Sequence, residues 1–397
     1  MRWRCERQSK VQPESDPVNA NPLKRLAALG QSVWFDYIRR DLYQGPDLRR
    51  LIEEDGLRGM TSNPTIFQKA IAETRLYDDD IQRLAAKGAS PAAIVESLAV
   101  EDVRGAADVF RTVHEAADGD DGFVSIEVRP QLARDTQGSI VEARRLWKEC
   151  DRPNVMVKIP ATDEGIAAIH RCLSEGININ ITLLFSVSRY REVMEAYLAA
   201  MEERVAAGQP LNRIRSVASF FVSRVDSNVD RKLDAITRAA TRSDRERQLA
   251  RDLRGKVAIA NARIAFEAFE KTFQGPRFER LREKGARLQR PLWASTSTKD
   301  PSYPDLYYVE ALVAPDSVDT MPPETFEAYR DHGDPKIRIH DDLPDARSVF
   351  RRLAELGIEE QQVSRELEEE GARKFSESIG KILRAVEEKE ESINAAR

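Results

Sequence analysis

The chain reads as an α/β protein: a single (β/α)8 barrel with a charged helical insertion and C-terminal helices over the body. Two observations predict this. Eight short β-type segments alternate with helical patterns along the 397 residues, the order expected of parallel strands joined by crossover helices. Polar residues interrupt these apolar segments toward their carboxyl ends, where such a barrel gathers its functional groups around one mouth.

Taken in order, residues 1–22 are polar and proline-containing and read as a disordered tail, with the barrel occupying 23–397. The first strand is Ser32–Ile38, followed by a helix over Asp47–Asp55. A short strand in Gly56–Thr65 runs into a turn, with Pro64 suited to a first helical position. Helical patterns cover 66–86 and 91–117. The third strand, Phe123–Val128, places Phe123, Ser125 and Glu127 on one face. After a helix over 136–149, the fourth strand, Asn154–Pro160, places Met156 and Lys158 opposite Val155, Val157 and Ile159. A helix at 165–174, a strand at Ile177–Phe185, a helix at 188–207 and a sixth strand at Ser216–Val225 follow. Residues 231–285 read as a helical insertion whose first part, 231–255, is rich in Arg, Asp and Glu. The last strands are Arg290–Thr296 and Ser317–Met321, and the chain is helical from His340. Val363, Leu367, Phe375, Ile379, Leu383 and Val386 then form a stripe suited to packing on the body.

Composition narrows the function classes. Lys+Arg number 62 against Asp+Glu 67, a net charge of −5 with both signs mixed, whereas a nucleic-acid protein should show a basic excess. Hydrophobic residues make up 41% and charged residues 32%, enough for one large core under a solvated surface. The three cysteines, Cys5, Cys150 and Cys172, are too irregularly spaced for a disulfide framework or a zinc site. The N-terminus lacks the apolar stretch of a secretory signal, and no run of about 18 apolar residues occurs. A cytoplasmic protein is expected, monomer or homodimer, with neither nucleic acid nor membrane as partner.

The residue that carries the most chemistry is Lys158. An ammonium turned into a barrel interior either pairs with a carboxylate or gives up its proton, and a neutral lysine is a nucleophile toward carbonyls. An ordinary ion pair is the bland alternative. Asp36, Asn63, Glu127, Asn180, Thr182, Ser219 and Ser295 join it at strand ends. Each also has a structural reading: Asp36 starting a turn, Asn63 capping a helix, Glu127 merely pairing Lys158, Asn180 and Thr182 bonding loop backbone, the serines filling space. Their recurrence on successive strands favours a site. The four histidines show no metal-ligand spacing, and there is no dinucleotide or Walker phosphate loop and no Gly-x-Ser-x-Gly elbow. Neither metal nor organic cofactor is expected; an imine on Lys158 is the remaining electron sink.

Met60-Thr61-Ser62-Asn63-Pro64-Thr65, Val157-Lys158-Ile159-Pro160-Ala161-Thr162, Asn178 to Ser186 and Ser219-Phe220-Phe221-Val222-Ser223-Arg224 resemble transaldolase. Trp293 to Lys299 and Asp319-Thr320-Met321-Pro322 fit the longer bacterial form of that family. The resemblance implies a (β/α)8 enzyme of the pentose phosphate pathway. Such an enzyme moves a dihydroxyacetone unit from sedoheptulose 7-phosphate to glyceraldehyde 3-phosphate, giving erythrose 4-phosphate and fructose 6-phosphate. It makes Lys158 the Schiff-base lysine and Asp36 the acid/base at the substrate's C4 hydroxyl. Glu127 would act with a water held by Thr182; Asn63, Asn180 and Ser219 would hold substrate hydroxyls, and Arg224 the phosphate. Many members of the family carry an arginine in the seventh-strand motif as a second phosphate contact; Ala294-Ser295-Thr296-Ser297-Thr298-Lys299 has none, which leaves open what replaces it, with Lys299 a candidate point charge and Ser295 a further substrate-binding candidate. Two alternatives share these residues: a Schiff-base aldolase releasing free dihydroxyacetone from fructose 6-phosphate, and a non-catalytic sugar-phosphate-binding barrel. An unperturbed lysine is neutral in only roughly one part in a few thousand at pH 7, so either enzyme needs an environment that frees its amine.

Overall fold

Residues 21–395 are described by a computed structural model; of the expected tail 1–22, residues 1–20 lie outside them, whereas Asn21 caps and Pro22 opens a helix, Pro22–Ala28. Eight strands, β1 (Gln31–Phe35), β2 (Gly59–Met60), β3 (Phe123–Glu127), β4 (Val155–Pro160), β5 (Ile179–Leu184), β6 (Ser216–Phe221), β7 (Gln289–Ala294) and β8 (Ser317–Met321), pair in parallel and close in chain order. β8 lies against β1 over Gln31–Phe35 and Ser317–Met321. Parallel strands must be covered on both faces, which is why these segments read as near-continuous apolar runs. Val33, Val124, Val157 and Ile181 are buried in the main core shared with the surrounding helices.

The barrel interior is filled in layers. Trp34, Phe123, Met156, Val217, Leu292 and Val318 form a separate apolar plug, each on the inward side of its strand. Gly59 in β2 makes room for it: a Cβ there would lie 2.6 Å from the Trp34 indole. The indole N–H donates to Asp121 at 2.9 Å, and Asp121 also accepts from Ser32 and lies 3.6 Å from Arg290, closing the amino-terminal end. The strand period of two then dictates what comes next toward the mouth. Ser125 and Glu127 follow Phe123, Lys158 follows Met156, and Ser219 follows Val217. Apolar plug below and polar layer above are one alternation continued.

Several boundaries differ from expectation. The helical pattern 66–86 is two helices, Pro64–Glu73 and Asp78–Ala85, and 91–117 breaks at Phe110 into Pro91–Val109 and Arg111–Ala116. The sixth strand stops at Phe221, because Val222 turns the chain (φ −101°, ψ −77°) into a helix, Ser223–Arg238. Arg224 therefore sits in a first helical turn rather than on a strand. The expected insertion at 231–285 is helical throughout most of its length, but only part of it is surface. Helix Val257–Phe273 buries Ala258, Ala262, Phe266 and Phe269 and belongs to the main core. Helix Asp244–Leu253, held by a Ser243–Glu246 capping box, buries only Ala250 and Leu253 and is the solvated piece. The helix expected from His340 opens at Leu343 and ends at Glu355.

The C-terminal helix, Glu360–Ala395, crosses the barrel mouth. Val363 and Leu367 join the main core. At its other end Ile382, Ala385 and Val386 complete a second apolar cluster with Ile71, Tyr77, Ile81, Ile94 and Leu98. No helix among the described residues is long and apolar enough to cross a membrane.

One buried acid gives the fold a measurable pH dependence. Asp319 in β8 is fully buried and accepts from Thr296 at 2.9 Å, while its second oxygen has no partner. Burial pushes its carboxyl up to about 7, against 3.8 in an open chain. Between those values the folded chain keeps the proton and the unfolded chain does not, so this contribution to stability is lost as pH rises toward 7 and stays lost above it. Asp319→Asn removes the titration. The melting temperature of the variant relative to the parent should rise between pH 5 and pH 7 and level off by pH 8, the change being at most about 3 kcal/mol at about 1.4 kcal/mol per pH unit. A difference constant across that range would refute the buried acid.

Candidate functional site at the barrel mouth

Lys158 is placed by the β3–β4–β5 register, which sets it beside Glu127 on one side and Asn180 on the other. It is 8% exposed. Its Nζ lies 3.3 Å from Glu127 Oε2 and 3.5 Å from the Ser62 carbonyl oxygen. The lysine turns inward and has a carboxylate partner, an arrangement that an ordinary ion pair shares.

A second carboxylate faces the same amine. Asp36 follows β1, and its backbone N–H donates to the Met321 carbonyl at 2.8 Å, extending the β1–β8 ladder by one residue. Thr61 donates to its Oδ1 at 2.7 Å and Asn63 to its Oδ2 at 2.9 Å, while the Thr61 hydroxyl also lies 2.8 Å from that of Thr320. Burial pushes both acids above the usual carboxylate range. The positive charge of Lys158 opposes the rise in each, and the Thr61 and Asn63 donors oppose it further at Asp36. The two acids therefore share an amine but differ in hydrogen bonding, the condition for separate proton-transfer roles.

Beneath them Asn180 donates to Ser125 Oγ at 3.0 Å and accepts from Ser219 Oγ at 2.7 Å. Asn180 is fully buried and does not line the cavity. Its amide is used on Ser125 and Ser219, so it holds Ser219 from below. Thr182 does line the cavity. Next to it β5 shifts register between Ile181 and Leu184, and Leu183 adopts φ +54°, a conformation rare for a branched residue. Ser295, after β7, has φ +57°. Such strain persists only where surrounding structure enforces it, and it concentrates at functional sites.

The outer wall carries cations. Arg224 lies over the Phe221 ring at 4.9 Å. Burial pulls its guanidinium down, against the charges of Glu370, Asp36 and Glu127. The neighbouring Ser223 N–H donates to the Ser295 carbonyl at 3.0 Å and the two hydroxyls lie 3.0 Å apart, tying the β6 and β7 loops together. Lys299 Nζ donates to Ser297 Oγ at 2.5 Å.

Asp36, Asn63, Glu127, Lys158, Thr182, Ser219, Arg224, Ser295 and Lys299 all line one cavity of about 660 Å³, and Asn180 supports it from beneath. Sequence reasoning missed the far wall. Arg231, Glu370, Gly371, Lys374, Phe375 and Lys381 also line the cavity, all but Arg231 from the C-terminal helix. Only Phe375 gave a signal, as one member of the apolar stripe. Among the described residues no group of three or more His, Cys, Asp or Glu is placed to hold a metal ion.

A closed parallel barrel with an amine and two carboxylates at its carboxyl-end mouth is the constellation of a lysine-dependent aldolase-type enzyme. Residues 33–386 match the model of the transaldolase/fructose-6-phosphate aldolase family, and the chain belongs to that family. It is 47% identical over 372 residues to a transaldolase of Saccharopolyspora erythraea, covering 94% of this chain and 98% of that one. It is 48% identical over 369 residues to a transaldolase of Acidothermus cellulolyticus, covering 92% and 96%. A transaldolase of Mycolicibacterium paratuberculosis is 48% identical over 368 residues, covering 91% and 96%.

Proposed function

We propose that the chain is a transaldolase of the pentose phosphate pathway working through a Schiff base on Lys158, with sugar phosphates as its partners in the cytoplasm. It transfers a dihydroxyacetone unit from sedoheptulose 7-phosphate to glyceraldehyde 3-phosphate and releases erythrose 4-phosphate and fructose 6-phosphate. The observation that carries the reading is the Lys158–Glu127 contact of 3.3 Å with Asp36 facing the same amine, in a chain whose relatives are named transaldolase over nearly their whole length.

The chemistry follows the layout. Glu127 takes a proton from the Lys158 ammonium, and the free amine adds to the donor's carbonyl carbon. The carbinolamine loses water, with Glu127 and a water held by Thr182 shuttling the protons. Asp36, held by Thr61 and Asn63, takes the C4 hydroxyl proton as the C3–C4 bond breaks, and the bonding electron pair moves onto the iminium to form an enamine. The aldose leaves; the acceptor aldehyde enters, and the same steps run in reverse. A pKa above the usual range makes Asp36 a better base for the hydroxyl proton and lets it keep that proton until the return transfer. Asn63 and Ser219 hold the hydroxyls of the three-carbon unit, and Asn180 acts through Ser219. Arg224 and Lys299, with Ser295 beside them, hold the phosphate end, arginine by its planar fork and lysine as a point charge.

Incubation with fructose 6-phosphate and borohydride should leave a dihydroxyacetone-sized adduct on Lys158, mapped by peptide mass spectrometry. Lys158→Ala should lose both adduct and turnover. Folded parent protein that gives no adduct would return Lys158 to a plain ion-pair role and remove the mechanism. Release of free dihydroxyacetone from fructose 6-phosphate without an aldehyde acceptor, at a rate matching transfer, would instead favour the aldolase reading.

Thr61→Val deletes one donor that holds the Asp36 carboxyl down. The Asp36 pKa should rise, so the acidic limb of kcat/KM against pH should move to higher pH by roughly half a unit to one unit, one neutral-donor hydrogen bond being worth about 1 kcal/mol. An unmoved limb would separate Asp36 from the ionisation that controls the rate.

A further inference from the structure

The cations on the outer wall of the cavity are not empty-handed. Glu370, on the C-terminal helix, lies 2.5 Å from Lys374 Nζ and 3.8 Å from Arg231. It also interacts electrostatically with Arg224, and these three positive charges hold its carboxyl below the usual range. All four residues line the catalytic cavity. The carboxylate is thus an anion lodged among three cations drawn from two separate helices, Ser223–Arg238 and Glu360–Ala395.

Its position is fixed by packing. Leu367, one turn earlier, is buried in the main core. Gly371, the next residue, meets the strained Leu183 of β5: a Cβ at Gly371 would lie 2.8 Å from the leucine Cδ2. Glycine permits the helix to approach the mouth closely, and that approach carries Glu370 to the cations.

We propose that Glu370 is a built-in competitor for the substrate phosphate, and that Arg231 and Lys374 form part of the phosphate site together with Arg224. This rests on the transaldolase reading, in which the sugar's carbonyl meets Lys158 and its phosphate reaches the outer wall. A phosphate monoester carries about −1.5 to −2 charges and three acceptor oxygens at pH 7, against one charge and two oxygens for a carboxylate. It therefore displaces Glu370 from the cluster, whereas an unphosphorylated sugar leaves that ion cluster intact. Glu370 sets the threshold that a ligand's anion must exceed, which makes it a specificity-determining residue.

The test compares the parent chain with Glu370→Gln, Lys374→Met and Arg224→Ala, using fructose 6-phosphate and unphosphorylated fructose as donors and inorganic phosphate as inhibitor. Removing one partly exposed competing charge is worth roughly two- to fivefold in affinity. Glu370→Gln should lower the phosphate inhibition constant and the KM for fructose 6-phosphate by about that factor, and so raise the kcat/KM preference for fructose 6-phosphate over fructose. Lys374→Met should raise the phosphate inhibition constant. The inference is overturned if Glu370→Gln leaves phosphate inhibition unchanged, or alters fructose and fructose 6-phosphate alike as a purely structural change would. The underlying reading fails separately, and visibly, if Arg224→Ala leaves the preference for the phosphorylated donor untouched.

Discussion

The structure depends on holding one amine inside a barrel. A lone ammonium in such a place costs several kcal/mol or more, so the interior must supply negative charge or the proton must leave. Two carboxylates answer this, Glu127 across the β3–β4 register and Asp36 beyond the end of β1. Neither acid is comfortable there: burial drives both toward the protonated state, and Lys158 opposes it. Three groups, each unfavourable in isolation, are tied together by the charge on Lys158. The further donors on Asp36, Thr61 and Asn63, distinguish it from Glu127, the asymmetry that the proposed division of proton transfers between them requires.

That arrangement needs a dry floor and a solvated rim. The apolar plug of Trp34, Phe123, Met156, Val217, Leu292 and Val318 lies below the polar layer. The side-chain period within each strand does the sorting, because residues two apart share a face. Met156 is therefore floor and Lys158 cavity lining on one strand. The same holds for Phe123 and Glu127, and for Val217 and Ser219.

The rim is assembled differently. Its cations and acids come from the loop after β7, the helix after β6 and the C-terminal helix, and they are brought together by local devices. The left-handed backbone at Leu183 and Ser295 turns two strand ends toward the cavity. Ser223 clamps the β6 loop to the β7 loop. Gly371 admits the last helix to van der Waals range of Leu183. The amine and its carboxylates thus sit on or just beyond regular strands, and the outer cations on irregular backbone and a helix that crosses the mouth.

What the sequence determined by itself follows from periodicity and local chemistry. Eight strand segments, the inward face of β4 and the grouping of Asp36, Glu127, Lys158 and Ser219 at one end were all legible, because alternation is a local property and parallel barrels place carboxyl ends together. The family resemblance was legible for the same reason, since its motifs lie within single strands and their turns. Tertiary structure alone decided the rest. Phe221-Val222-Ser223-Arg224-Val225 is apolar enough to extend a strand, yet contact with Ser295 and the turn at Val222 end it and put Arg224 on a helix. Asn180 has the spacing of a substrate ligand, yet its amide meets Ser125 and Ser219 beneath the cavity. Glu370, Gly371 and Lys374 reach the site from well over a hundred residues beyond β6, and a stripe of apolar residues says that a helix packs, not what its polar side faces. Burial and long-range charge are properties of the assembled barrel, and no local pattern encodes them.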